Sequence, residues 1–69
     1  MSQCPPKNAW PELLGKDGHY ATSVIERENR TVDAVVILDG SPVTADFRCD
    51  RVRVIVNSKN IVVRIPVSG

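Results

Sequence analysis

Residues 32–38 read Val-Asp-Ala-Val-Val-Ile-Leu and residues 51–56 read Arg-Val-Arg-Val-Ile-Val, and the relation between these two stretches decides the fold. The first is a near-continuous apolar run of strand length, the pattern of a strand covered on both faces. The second alternates, with Val52, Val54 and Val56 on one face and Arg51, Arg53 and Ile55 on the other. Between them Asp39 to Asp50 form twelve residues without helical or strand period. A hairpin needs only about two to five residues, whereas parallel strands need a crossover of roughly this length. A long irregular connection in so small a chain is either functional or disordered. Gly40 and Pro42 shape this one, so it is read as ordered and functional.

Working outward, Gly18 to Asn29 carries a helical pattern. Asp17 caps its start, Ala21, Val24 and Ile25 mark its inner face, and Asn29 ends it. Trp10 to Gly15 reads as a tight helical turn with Trp10 and the two leucines as anchors, because Pro5, Pro6 and Pro11 keep the first residues out of long regular structure. On the other side, Asn57-Ser58-Lys59-Asn60 is turn chemistry, followed by a last strand Ile61 to Ile65 that Pro66 ends.

The chain has 69 residues and a formal charge of +1. At this length roughly 60% of the unfolded surface is buried on folding, so a single domain spanning 1–69 of modest stability is expected. A near-neutral charge gives no support for electrostatic binding to nucleic acid or an anionic membrane, so neither is expected as a partner. No apolar run approaches the roughly eighteen residues of a membrane span, and the first residues lack the apolar stretch of a signal peptide. Cys4, Cys49 and His19 fall short of the four ligands of a structural zinc site, so no metal or other cofactor is expected. One long-range disulfide or two free thiols remain; the disulfide would favour an extracellular or vacuolar compartment. His19 is most simply a surface residue at the start of the helix, and no nucleophile and base accompany Asp46, so an enzyme is not expected.

Residues 40–48 read Gly-Ser-Pro-Val-Thr-Ala-Asp-Phe-Arg. Pro42 fixes its own φ and extends Ser41, and Val43 and Thr44 are β-branched, so the segment is expected to be extended. Side chains then alternate, placing Thr44 and Asp46 on one side and Val43, Ala45 and Phe47 on the other. Arg51 and Arg53 on the next strand offer guanidinium forks suited to a carboxylate and a hydroxyl. The pattern is that of a device for holding a peptide still.

Four stretches carry a family resemblance: Lys-Asn-Ala-Trp-Pro-Glu-Leu-Leu-Gly (7–15), Ile-Glu-Arg-Glu-Asn (25–29), Gly-Ser-Pro-Val-Thr-Ala-Asp-Phe-Arg-Cys-Asp-Arg-Val-Arg-Val (40–54) and Arg-Ile-Pro-Val-Ser-Gly (64–69). Together they resemble the potato inhibitor I family of serine protease inhibitors across the whole chain. The resemblance implies an α+β fold, one helix packed on a small mixed parallel and antiparallel sheet with a long exposed protease-binding loop. It implies a reactive bond between Ala45 and Asp46 within a loop of Pro42, Val43, Thr44, Ala45, Asp46, Phe47 and Arg48. Thr44, Asp46, Arg51, Arg53 and the carboxylate of Gly69 would support that loop, and Cys4 and Cys49 would form the disulfide of the plant members.

The departure is at residue 45, where relatives commonly carry Lys, Arg, Leu or Met. A methyl fills little of a deep pocket, at about 0.8 kcal/mol per buried carbon, and carries no charge for a trypsin-like one. The expected partners are therefore subtilisin-like and elastase-like serine proteases ahead of trypsin, with chymotrypsin-like enzymes a further class, bound by a monomer. The same alanine keeps open the alternative of a non-inhibitory interaction or storage protein with this fold.

Overall fold

The computed structural model describes residues 7–69. In chain order the elements are a 3-10 turn over Pro11–Leu13, a helix α1 over Gly18–Glu28, and strands β1 (Asp33–Leu38), β2 (Arg51–Val56) and β3 (Val67–Ser68). The strands form one sheet in the order β1-β2-β3, with β1 parallel to β2 and β3 antiparallel to it. This is the α+β architecture the sequence implied, and residues 39–50 are the parallel crossover.

The Asp17 carboxylate accepts a bond from the Tyr20 N–H, satisfying an amide that the first turn leaves without a partner. Ala21 and Ile25 are buried on the inner face, and Val24 packs at its margin. They meet Val52, Val54 and Val56, the apolar face of β2, in a core completed by Trp10, Leu13, Val32 and Val62. Gly18 marks the closest approach of helix and turn. A Cβ there would lie 2.8 Å from both Val56 Cγ1 and Asn60 Oδ1, so only glycine fits.

Several boundaries differ from the sequence reading. Strand β1 is not covered on both faces: Val35, Val36 and Leu38 are exposed and only Ala34 and Ile37 are half-buried. Val36 and Leu38 pair in register with Val54 and Val56 on the helix side, but β1 is the edge strand and one 11-residue helix cannot blanket it. Among the described residues no second helix or sheet covers the opposite face. Part of the edge is covered by Glu26, whose carboxylate accepts from the Ala34 N–H at 3.1 Å. Near the N-terminus, Leu13 is buried but Leu14 is 48% exposed, so one leucine anchors and the other does not. Asn29 ends the helix in an extended conformation and not a left-handed one, and its side chain accepts bonds from the Thr31 N–H and hydroxyl.

The expected strand Ile61–Ile65 is also replaced. Asn57 Oδ1 caps the turn by accepting from the N–H groups of Lys59 and Ile61, and Asn60 adopts φ +64°. Val62 then pairs with Val56, but the next antiparallel partners are Val67 with Arg53. Five steps on one strand face three on the other, so two extra residues bulge out around Pro66, which has no N–H for the ladder. Pro66 is itself buried and its carbonyl accepts from the Trp10 N–H, tying the N-terminal segment to the sheet. The indole N–H of buried Trp10 donates to Glu28 at 3.0 Å, and Lys7 lies 5.5 Å above the ring.

Candidate functional site

The crossover leaves β1 at Leu38 and turns outward at Gly40, whose φ of +89° is readily reached by glycine alone. Its outgoing stem is fixed by backbone bonds from Asp39 N–H to Val56 and from Ser41 N–H to Leu38, and by Arg64, which reaches Asp39 at 3.3 Å. The returning stem is fixed by Asp33 N–H donating to the Asp50 carbonyl and Arg51 N–H donating to that of Arg48. Arg48 forks onto both oxygens of Asp50 at 3.1 and 3.3 Å and stands 3.6 Å from Asp33. Every residue from Asp39 to Arg48 is exposed.

Between the stems the loop is propped from the sheet. Arg51 and Arg53 rise two residues apart from the face of β2 opposite the buried valines. Arg53 Nη2 donates to the carbonyl of Thr44 at 2.9 Å and to its hydroxyl at 3.0 Å. Arg51 donates to the Asp46 carboxylate at 3.1 Å and to the Asp46 carbonyl at 2.9 Å. Its Nε donates to the Gly69 terminal oxygen at 2.8 Å, while the Gly69 N–H donates back to the Arg51 carbonyl. Arg53 also stands 3.9 Å from the Asp46 carboxylate. Residue 45 is thus held through both neighbours while its own side chain stays unengaged.

The Thr44 hydroxyl, hydrogen-bonded to Asp46, together with the Arg51 guanidinium, holds the Asp46 carboxyl below the usual carboxylate range, against a smaller desolvation effect. Arg48 lowers Asp50 in the same way. Both acids are therefore charged at neutral pH, and the props are charge-assisted bonds.

The structure brings Thr44, Asp46, Arg51, Arg53 and Gly69 together. Val43 is 50% and Phe47 73% exposed, the ring of Phe47 lying beside Gly69, where an added Cβ would be 3.9 Å away. Pro42 and Ala45 lie on the exposed arc. Arg48 points at Asp50 and Asp33, along the base of the loop. Cys49 is half-buried at the returning stem and no described cysteine is free; its expected partner Cys4 lies outside the described residues. Among the described residues no group of acidic, histidine or cysteine side chains could hold a metal ion. Sequence reasoning missed Asp33, Asp39 and Arg64, because their partners sit far along the chain, and Asp50, although its partner Arg48 is only two residues away. Acids flanking the loop and an arginine near the C-terminus were the only available signal.

The sequence pattern that describes the potato inhibitor I family matches residues 2–69. A proteinase inhibitor from Linum usitatissimum is 58% identical over 64 residues, covering 93% of each chain. A Glu S.griseus protease inhibitor from Momordica charantia is 59% identical over 68 residues, covering 99% of this chain and all of the other. Among solved structures, bitter gourd trypsin inhibitor superposes with a TM-score of 0.93 at 54% identity over 99% of this chain and all of that one.

Proposed function

Since the chain belongs to the potato inhibitor I family, whose members inhibit proteases and are not enzymes, we propose that it inhibits serine proteases by offering Ala45–Asp46 as a substrate-like bond on the propped loop. The observation that carries this is the pair of guanidiniums that grip Thr44 and Asp46 by backbone and side chain together. A loop already propped in place loses little ordering entropy on entering a protease cleft. If the bond is cut, the two ends stay tethered and religation competes with release. Pro42, Val43, Thr44, Phe47 and Arg48 flank the bond as the remainder of the protease-facing loop.

Target choice rests with Ala45. Its methyl suits shallow or tolerant pockets, so subtilisin-like and elastase-like enzymes are preferred to trypsin, with chymotrypsin-like enzymes intermediate. Because one relative is named for a Glu protease and another for trypsin, the test is a stoichiometric titration of subtilisin, elastase, chymotrypsin, trypsin and a Glu-specific protease. Tight one-to-one inhibition of subtilisin or elastase is expected. Trypsin as the best-inhibited enzyme contradicts the assignment of specificity. Digestion by all five without inhibition supports a passive interaction or storage protein.

A further inference from the structure

The Ala45–Asp46 bond divides the chain into two oppositely charged parts. Residues 1–45 hold four basic and six acidic side chains, a net charge of −2, and residues 46–69 hold five basic and two acidic, a net of +3. Cleavage adds one carboxylate at Ala45 and one ammonium at Asp46, so the termini of each fragment cancel and this imbalance persists. Among the described residues seven ion pairs occur, and two of them cross the bond: Asp33–Arg48 at 3.6 Å and Asp39–Arg64 at 3.3 Å. In both, the acid belongs to the first part and the arginine to the second. They sit at the two stems, with Asp39–Arg64 where the loop leaves the sheet and Asp33–Arg48 where it returns.

We propose that these stem pairs are positioning contacts that hold the cut ends in register, making the balance between cleaved and intact inhibitor depend on ionic strength. The inference rests on Ala45–Asp46 being the reactive bond. Hydrolysis breaks the Ala45 C–N bond, with water's hydroxyl going to the Ala45 carbonyl carbon and its proton to the Asp46 nitrogen. Religation reverses this and releases the water, with no other reactant. In the intact protein both stems are already ordered, so each pair forms without further loss of freedom. In the cut protein the same pair must first order a loose stem. Each pair is therefore stronger in the intact form and favours religation. Exposed pairs are screened at high salt, when the Debye length shrinks from about 10 Å at 0.1 M to a few ångströms at 1 M.

Arg64 separates this from direct contact with a protease, since it lies outside the loop and, among the described residues, pairs with Asp39. The test uses the whole protein with a catalytic amount of subtilisin. Mixtures begun from intact and from cut inhibitor are followed by mass until their ratios agree, at low and high sodium chloride. The cleaved-to-intact ratio is expected to rise with salt. Arg64→Gln should raise it about two- to fourfold at low salt, the size an exposed pair supports, with an unchanged thermal midpoint. The double variant Arg48→Gln/Arg64→Gln should flatten the salt response, and the swap Asp39→Arg/Arg64→Asp should restore the wild-type ratio. A ratio indifferent to salt and to Arg64→Gln, with Ala45–Asp46 still cut, overturns the stem-pair inference alone, as does failure of the swap to rescue. Absence of any cut at Ala45–Asp46 overturns the underlying assignment of the bond instead.

Discussion

Arg53 holds Thr44 by two of its atoms at once, with Nη2 2.9 Å from the Thr44 carbonyl and 3.0 Å from its hydroxyl. Arg51 repeats the arrangement on Asp46, gripping carbonyl and carboxylate. A side-chain bond alone would leave the backbone free to swing about χ1. A bond to side chain and carbonyl together fixes the peptide plane. The residue between them, Ala45, is flanked by two held neighbours while it lies exposed itself.

Loss of a prop should convert inhibitor into substrate. Arg53→Ala is expected to lower the thermal midpoint only slightly, because the bonds it loses go to an exposed loop and such bonds contribute about 1 kcal/mol or less, while accelerating hydrolysis of Ala45–Asp46 in the complex. Ile25→Ala should do the reverse. Emptying a fully buried site costs about 2–5 kcal/mol, yet hydrolysis of the still-folded protein should stay near wild type. Differential scanning calorimetry beside a timed mass analysis of the complex reads both. Equal hydrolysis rates for wild type and Arg53→Ala would show that the arginines only decorate a solvated strand face.

Ala45→Lys should redirect the inhibitor to trypsin. The substitution changes only the pocket contact, since no prop involves the residue 45 side chain, so a gain of several orders of magnitude in trypsin affinity is expected with subtilisin inhibition retained. Inhibition constants for the two enzymes decide it. No gain against trypsin means that the specificity residue lies elsewhere on the loop.

Acid should loosen the loop before it unfolds the domain. The Asp46 carboxyl is held below its ordinary value of about 3.9, so its contribution is fully present above that value and is lost as pH falls through the depressed one. Nitrogen-15 relaxation of residues 43–47 should therefore show constant order from neutral pH to about pH 4 and rising mobility below it. Asp46→Asn removes the titrating charge and should abolish the acid-dependent step. Unchanged mobility down to acid unfolding contradicts the assigned role of Asp46.

Cys4 and Cys49 are predicted to be bonded to each other, closing a loop worth about 4 kcal/mol by chain entropy. Alkylation of the unreduced, denatured protein should add no mass, and reduction should lower the thermal midpoint while inhibition partly survives on the arginine props. Two alkylated cysteines before reduction refute the pairing.

The crossover and its props were legible in sequence because they rest on period and type. Val52, Val54 and Val56 alternate, twelve residues exceed any hairpin, and Arg51 and Arg53 share a face. Asp17 was legible as a cap for the same local reason. The exposure of β1 was not, because an apolar run records the preference of each residue and not how much helix the chain has left to cover it. The break at Pro66 was missed in a similar way. Ile61 to Ile65 has strand composition, but its register is set by the turn at Asn57 and by the pairing of Trp10 with Pro66, both decided in three dimensions. The stem pairs of Arg48 and Arg64 are invisible to spacing altogether, since Asp33 and Asp39 approach them only once the sheet has formed.

If Ala45–Asp46 is a reactive bond held for religation, the products of prolonged contact with a protease should reveal it. Subtilisin is incubated with an excess of the protein and the mixture is resolved by intact mass after denaturation and reduction. A stable mixture of the 69-residue chain with two fragments, residues 1–45 and 46–69, is expected, its proportions no longer changing while active enzyme remains. Continued breakdown into many peptides, or a first cut at any other bond, contradicts it.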